Sequence, residues 1–214
     1  MLVLQGVEVR LQRLSILRGV SMEVPTGSIV GLVGRNGAGK TTTLRSVMGL
    51  VRVASGTIEV DGIDLRHTPA HHRPRLGIGY VPEDRRLVPS LTVEQNLLLP
   101  AQALRQDRMR EQLTWIYEQI PEVKHFARRR ANQLSGGQQK LVAVARALMV
   151  GRRLLLLDEP FEGLAPTLAE RVAEVITAVQ AEEPDIAVVI ADSEYHRVED
   201  LAQRVYHIER GRTA

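Results

Sequence analysis

The chain contains no cysteine, which excludes disulfides and cysteine-ligated metal centres and fits a reducing compartment. It also lacks any apolar run approaching the roughly eighteen residues that span a bilayer, and its N-terminus carries no signal-peptide pattern, so a cytoplasmic location is expected. Internal repeats and low-complexity segments are absent. Charge of one sign is scarce: Lys and Arg exceed Asp and Glu by only three, and nothing in that balance argues for nucleic acid. The one basic run, Arg128-Arg129-Arg130, reads as solvated surface, with contact to an anionic lipid or a partner as the alternative. What remains is a chain of 214 residues, 44% hydrophobic, long enough to bury one sizeable α/β core without requiring two independent domains.

Within that chain Gly34-Arg35-Asn36-Gly37-Ala38-Gly39-Lys40-Thr41 fits the pattern G-x-x-x-x-G-K-S/T. The apolar run 29–33 leads into it, and the helix-like segment 42–48 follows. Glycines let backbone N–H groups close around phosphate oxygens, and the helix that follows points its positive end at the same anion. Lys40 adds a point charge and Thr41 offers a hydroxyl to Mg²⁺. A glycine-rich turn without a ligand is the bland alternative, and strand, loop and helix in register weigh against it. The expected ligand is a nucleoside triphosphate.

Leu134-Ser135-Gly136-Gly137-Gln138 opens a second such corner, ahead of apolar residues at Leu141, Val144, Ala145 and Leu148 with helical spacing. Taken alone it could be only a helix N-terminus capped by Ser135. Further on, the strand-like run 154–157 ends in Asp158-Glu159-Pro160, and adjacent acids closing an apolar strand are unusual as packing because buried unpaired charge is costly.

Strands are expected over 2–9, 21–24, 57–60, 77–81, 154–157, 186–190 and 205–208, with a turn at Asp61-Gly62. Apolar strands alternating with helical stretches suggest a mostly parallel sheet covered on both faces. From 84 to 150 the pattern is mainly helical: Thr92-Val93-Glu94-Gln95 reads as a capping box, and 109–120 as an amphipathic helix. His67, His71 and His72 read as a solvated loop in preference to a metal site.

With three motifs in one order and spacing, the chain resembles the ATP-binding cassette (ABC) ATPases from Leu2 to Thr213. That resemblance implies a P-loop-type α/β fold with an antiparallel β subdomain. Residues 1–84 and 151–214 would form the nucleotide-binding core, and 85–150 an inserted helical subdomain that carries the signature and touches membrane subunits. It also implies a head-to-tail pairing of two such chains, with itself or with a sibling ATPase, in which the signature of one closes over the γ-phosphate held by the other.

Carried over residue by residue, Gly34, Asn36, Gly37, Ala38, Gly39, Lys40, Thr41 and Thr42 would bind ATP, and Thr41 with Asp158 would hold Mg²⁺. Glu159 would orient and deprotonate the attacking water, while Lys40 stabilises the charge that develops on the phosphate. Ser135, Gly137 and Gln138 would arrive from the second chain. Glu83 stands where most members have glutamine, a variant that, with Ala165 in Gly163-Leu164-Ala165-Pro166, looks like the second ATPase subunit of importers for branched-chain amino acids, amides or urea.

Two positions depart from the family pattern. Leu11 occupies the place of the aromatic residue that stacks on adenine, with Arg10 or Arg13 as possible cover for the ring, and Ser193 occupies that of the switch histidine. Loss of one such preorganised donor slows a reaction by about 10²–10³ in other enzymes. His196, three residues on, should aim elsewhere. The expectation is an importer ATPase, peripheral on the inner membrane face through permease subunits and served indirectly by a solute-binding protein. The alternative is a catalytically weak regulatory subunit paired with a more complete sibling.

Overall fold

In the computed structural model, which describes residues 1–213, the apolar runs become the centre of a six-stranded sheet. β3 (Ile29–Val33), β7 (Leu154–Asp158) and β8 (Ala187–Asp192) are buried at every position. They are flanked by β6 (Ile78–Val81) on one side and by β9 (Arg204–Glu209) and β10 (Arg212–Thr213) on the other, in the order β10-β9-β3-β8-β7-β6. All pairings are parallel except the short β9–β10 hairpin.

Both faces of this sheet are covered, which is why its strands are apolar at successive positions and do not alternate. Val30, Leu32, Leu156 and Val189 enter one core, closed by α1 (Lys40–Val47) and by a four-stranded antiparallel sheet. The strands of that sheet are β1 (Leu2–Leu11), β2 (Leu14–Val24), β4 (Val53–Val60) and β5 (Ile63–Asp64), ordered β2-β1-β4-β5. Ile29, Val33, Leu157 and Ile190 enter the other core. It is shared with α2 (Val93–Ala103), α3 (Met109–Gln119), α4 (Pro121–His125), α5 (Gly136–Leu148), α6 (Pro166–Glu182) and α7 (Tyr195–Glu199).

The capping box is present: Thr92 Oγ1 accepts from Gln95 N at 3.2 Å and Gln95 Oε1 from Thr92 N at 2.9 Å. α3 stops at Gln119 because Ile120, at φ −131° and ψ 74°, precedes Pro121, whose ring disfavours helical backbone in the residue before it. β1 and β2 run further than expected, to Leu11 and from Leu14. Register shifts at Leu4/Val7, Val7/Glu8 and Val9/Arg10 break the inside–outside alternation that would have revealed them.

Between β5 and β6 the chain makes 3₁₀ turns at Leu65–His67 and Ala70–Leu76. They bury Arg73, which donates to the carbonyls of Ser46 and Val47 at the end of α1 and to those of Leu65 and Thr68. A cation there satisfies carbonyls the helix leaves open and complements its dipole. His67, His71, His72 and Arg128 to Arg130 are all exposed. Among the described residues no helix is long and apolar enough to cross a membrane.

Candidate nucleotide-binding site

The loop between β3 and α1 is shaped by what surrounds it. A side chain at Gly34 would place its Cβ 2.2 Å from the Ile208 carbonyl oxygen, and Gly39, at φ +121°, leads directly into α1. α1 has no side-chain cap, and its first intrahelical bond is Thr43 N to Gly39 O. The N–H groups of Lys40, Thr41 and Thr42 therefore find no acceptor among the described residues. Three convergent donors at a helix start, beside glycines, fit the oxygens of a phosphate chain.

Lys40 is 4% exposed and its Nζ turns back over the loop, donating to Gly34 O at 2.6 Å and Arg35 O at 3.3 Å and pairing with Glu159 Oε1 at 3.0 Å. One residue on, Thr41 Oγ1 donates to Asp158 Oδ1 at 3.0 Å. Tyr80 donates to Asp158 Oδ2 at 3.1 Å. Burial raises the pKa of Asp158, the Thr41 and Tyr80 hydroxyls oppose the rise, and the charges of Glu83 and Glu159 add to it. A buried carboxylate and a hydroxyl in contact are oxygen donors of the kind Mg²⁺ prefers.

Glu159 is the most constrained residue of the site. Its backbone takes φ +48°, its N–H donates to Ala191 O at 2.8 Å, and its carbonyl accepts from Lys140 Nζ at 2.7 Å. Its Oε2 accepts from Ser193 N at 3.2 Å and Ser193 Oγ at 3.4 Å. Ser193 is thus brought to the acid, whereas the His196 side chain is 96% exposed and lies 3.9 Å from Glu199 Oε2.

A cleft of about 420 Å³ opens over the loop, walled by Asn36, Gly37 and Thr42 on one side and by Glu83, Glu159 and Glu162 on the other. Leu11 and Ile16 form its apolar end, and neither Arg10 nor Arg13 lines it. Ser135, Gly137 and Gln138 do not line it either. They begin α5 in a second capping box, with Ser135 Oγ accepting from Gln138 N at 3.3 Å and Gln138 Oε1 from Ser135 N at 3.0 Å. Gly137 also has a packing reason, since a Cβ there would lie 1.9 Å from Leu168 Cδ2 on α6.

Two contributors carry no sequence signal of their own, apart from the hint of a lysine among the apolar positions of α5: Lys140 and Tyr80. Each acts through a partner distant in the chain, and neither belongs to a motif with fixed spacing.

The family model described as ABC transporter matches residues 17–162. The chain is 38% identical to the high-affinity branched-chain amino acid transport ATP-binding protein BraG of Pseudomonas aeruginosa, over 94% of this chain and 85% of that protein. It is 35% identical to the lipopolysaccharide export system ATP-binding protein LptB of Haemophilus influenzae, over 92% of this chain and 82% of that one. Among solved structures, a nucleotide-free ATP-binding cassette from an ABC transporter superposes with a TM-score of 0.88 at 25% identity, covering 100% of this chain and 89% of its own. The cassette MJ0796, in a dimeric post-hydrolysis state bound to ADP and Pi, gives 0.83 at 25% identity, covering 100% and 96%. The phosphate loop, the paired carboxylates and these likenesses agree, and the chain belongs to the ABC transporter family as an ATP-binding subunit that hydrolyses ATP.

Proposed function

We propose that this ATPase drives import of branched-chain amino acids or related small solutes, seated on the inner face of a membrane through permease subunits and supplied by a solute-binding protein. The likeness to BraG supports the solute class, as does 32% identity over 95% of the chain to a probable branched-chain amino acid transport ATP-binding protein, LivF, of Archaeoglobus fulgidus. Glu83 and Ala165 point the same way. The likeness to LptB favours a second reading, export of a lipid-like cargo. Transport assays in vesicles holding the cognate membrane subunits separate the two: ATP-driven uptake of radiolabelled leucine supports import, and its absence favours the export reading.

The observation that carries the mechanism is the contact of Lys40, Glu159 and Ser193 beside the Thr41–Asp158 pair. Thr41 and Asp158 would hold Mg²⁺, whose positive charge would offset that of the phosphate chain. The N–H groups of Lys40, Thr41 and Thr42 bind phosphate oxygens, and Lys40 exchanges Glu159 for the γ-phosphate as ATP enters. That exchange frees Glu159 to orient the attacking water and take its proton. Holding the water in line with the phosphate carries most of the effect. Ser135 and Gly137 of a second chain complete the enclosure, since in this chain they stand outside the residues that line the cleft over the phosphate loop.

Glu159→Gln tests the assignment. Hydrolysis of Mg-ATP by the full chain should fall by at least about 10²-fold while ATP still raises the melting temperature. Turnover near the wild-type rate in this variant would remove Glu159 from the reaction.

A further inference from the structure

Among the described residues, one buried side-chain oxygen or nitrogen has no hydrogen-bond partner, Asp192 Oδ2. Asp192 ends β8 and is 2% exposed. Its Oδ1 accepts from Glu194 N at 2.9 Å, and its carbonyl oxygen accepts from Gly34 N, the first residue of the phosphate loop, at 3.4 Å. A buried acceptor left open is costly, and a charged one more so. A protonated carboxyl turns the open oxygen into a donor and removes the cost, provided an acceptor faces it.

The Glu159 carboxylate, which favours the protonated form of Asp192, is the group positioned to be that acceptor. In the parallel pairing of β7 with β8, Asp158 lies opposite Ala191, so the next residues, Glu159 and Asp192, leave the sheet side by side. Strand alternation sends Asp192 to the face of Val188 and Ile190, while Asp158 turns to the face of Leu156, where α1 and Thr41 lie. Asp192 is therefore clear of the Thr41–Asp158 pair and aimed at the hydrolytic acid.

We propose that Asp192 is a positioning residue for Glu159, a buried carboxylic acid whose O–H donates to the Glu159 carboxylate and fixes its orientation once Lys40 has turned to the phosphate. The inference rests on the reading of Glu159 as the group that orients water. The groups facing Asp192 are the Glu159 and Glu194 carboxylates and the Lys140 ammonium from α5, with Lys40 reaching it only through Glu159. Burial pushes the Asp192 pKa up to about 6, the Glu194 amide pulls against the rise, and the two carboxylates add to it. The donor is thus present below that value and lost as pH rises through it, and an adjacent phosphate anion shifts the loss to higher pH.

The test uses the full chain, with Mg-ATP hydrolysis followed between about pH 5 and pH 9 and Glu159→Gln as the zero. Asp192→Asn retains a non-titrating N–H donor. It should keep kcat within about fivefold of wild type at the pH optimum and lose the decline that wild type shows with rising pH. Asp192→Ala removes the donor and should cost about 10- to 100-fold in kcat with KM for ATP unchanged. Protection against thermal unfolding by Mg-ATP checks that both variants fold, and if Asp192→Ala does not, the pH profile of Asp192→Asn decides. Equal impairment of the two variants, or one pH profile shared by wild type and Asp192→Asn, overturns the proposal. Hydrolysis that persists in Glu159→Gln would overturn the Glu159 reading itself. Silence there, with both Asp192 variants at the wild-type rate, would overturn only the role of Asp192.

Discussion

Glu159 holds a backbone conformation, φ +48°, that costs a non-glycine residue about 1–3 kcal/mol, and the surrounding contacts offset that strain. The Ala191 carbonyl takes its amide, Lys140 its carbonyl, and Lys40 and Ser193 its carboxylate. Ser193 reaches Glu159 but is too short to extend to a departing phosphate as a histidine would. Ser193→His should therefore raise kcat for ATP by about tenfold or more, measured at saturating Mg-ATP. An unchanged rate would mean that this position does not face the phosphate. At this scale the sequence was legible wherever spacing is dictated by chemistry: Lys40 and Thr41 follow the glycines, and Asp158 and Glu159 follow an apolar strand. Lys140 and Asp192 were not legible, because a single lysine in a helix or an acid after a strand acquires meaning only from the partner that folding brings to it.

α5 does more than present the signature at its N-terminus. Lys140, in its second turn, crosses to the carbonyls of Glu159 at 2.7 Å and Glu83 at 3.5 Å. Arg146, further along, donates to the carbonyls of Arg85 at 2.7 Å and Arg86 at 2.6 Å, residues whose φ values are +62° and +47°. One helix thus grips both the turn that carries Glu159 and the loop that follows β6. Burial lowers the pKa of Lys140, as expected for an ammonium withdrawn from water to serve carbonyl oxygens. Lys140→Met should destabilise the chain by about 1–3 kcal/mol in urea unfolding, by stranding buried carbonyls, and should lower kcat more than it alters KM. Wild-type stability and turnover together would show that the helix does not hold the turn. The strands buried on both faces and the capped starts of α2 and α5 were readable, since composition and capping chemistry are local. The first half of β2 was not, because bulges in its pairing with β1 disrupt the periodicity that announces a strand.

Across the molecule, the parallel sheet carries the phosphate loop after β3, Asp158 at the end of β7, Glu159 just beyond it, and Ser193 after β8, so the residues of the cleft cluster at the C-terminal ends of adjacent strands. The second anion-binding corner, at Ser135, stands apart from that cleft. In the proposed pairing two chains meet, each giving the phosphate loop to one site and the signature to the other. The dimeric cassettes to which the chain is similar accord with such a pairing. The most direct test mixes two inactive variants, Lys40→Ala, which keeps its signature, and Ser135→Arg, which keeps its phosphate loop. Half of the dimers formed on mixing combine the two chains, and each of those contains one intact composite site, so hydrolysis should return to about a quarter of the wild-type rate. A mixture no more active than the sum of its separate components would contradict a site built from two chains.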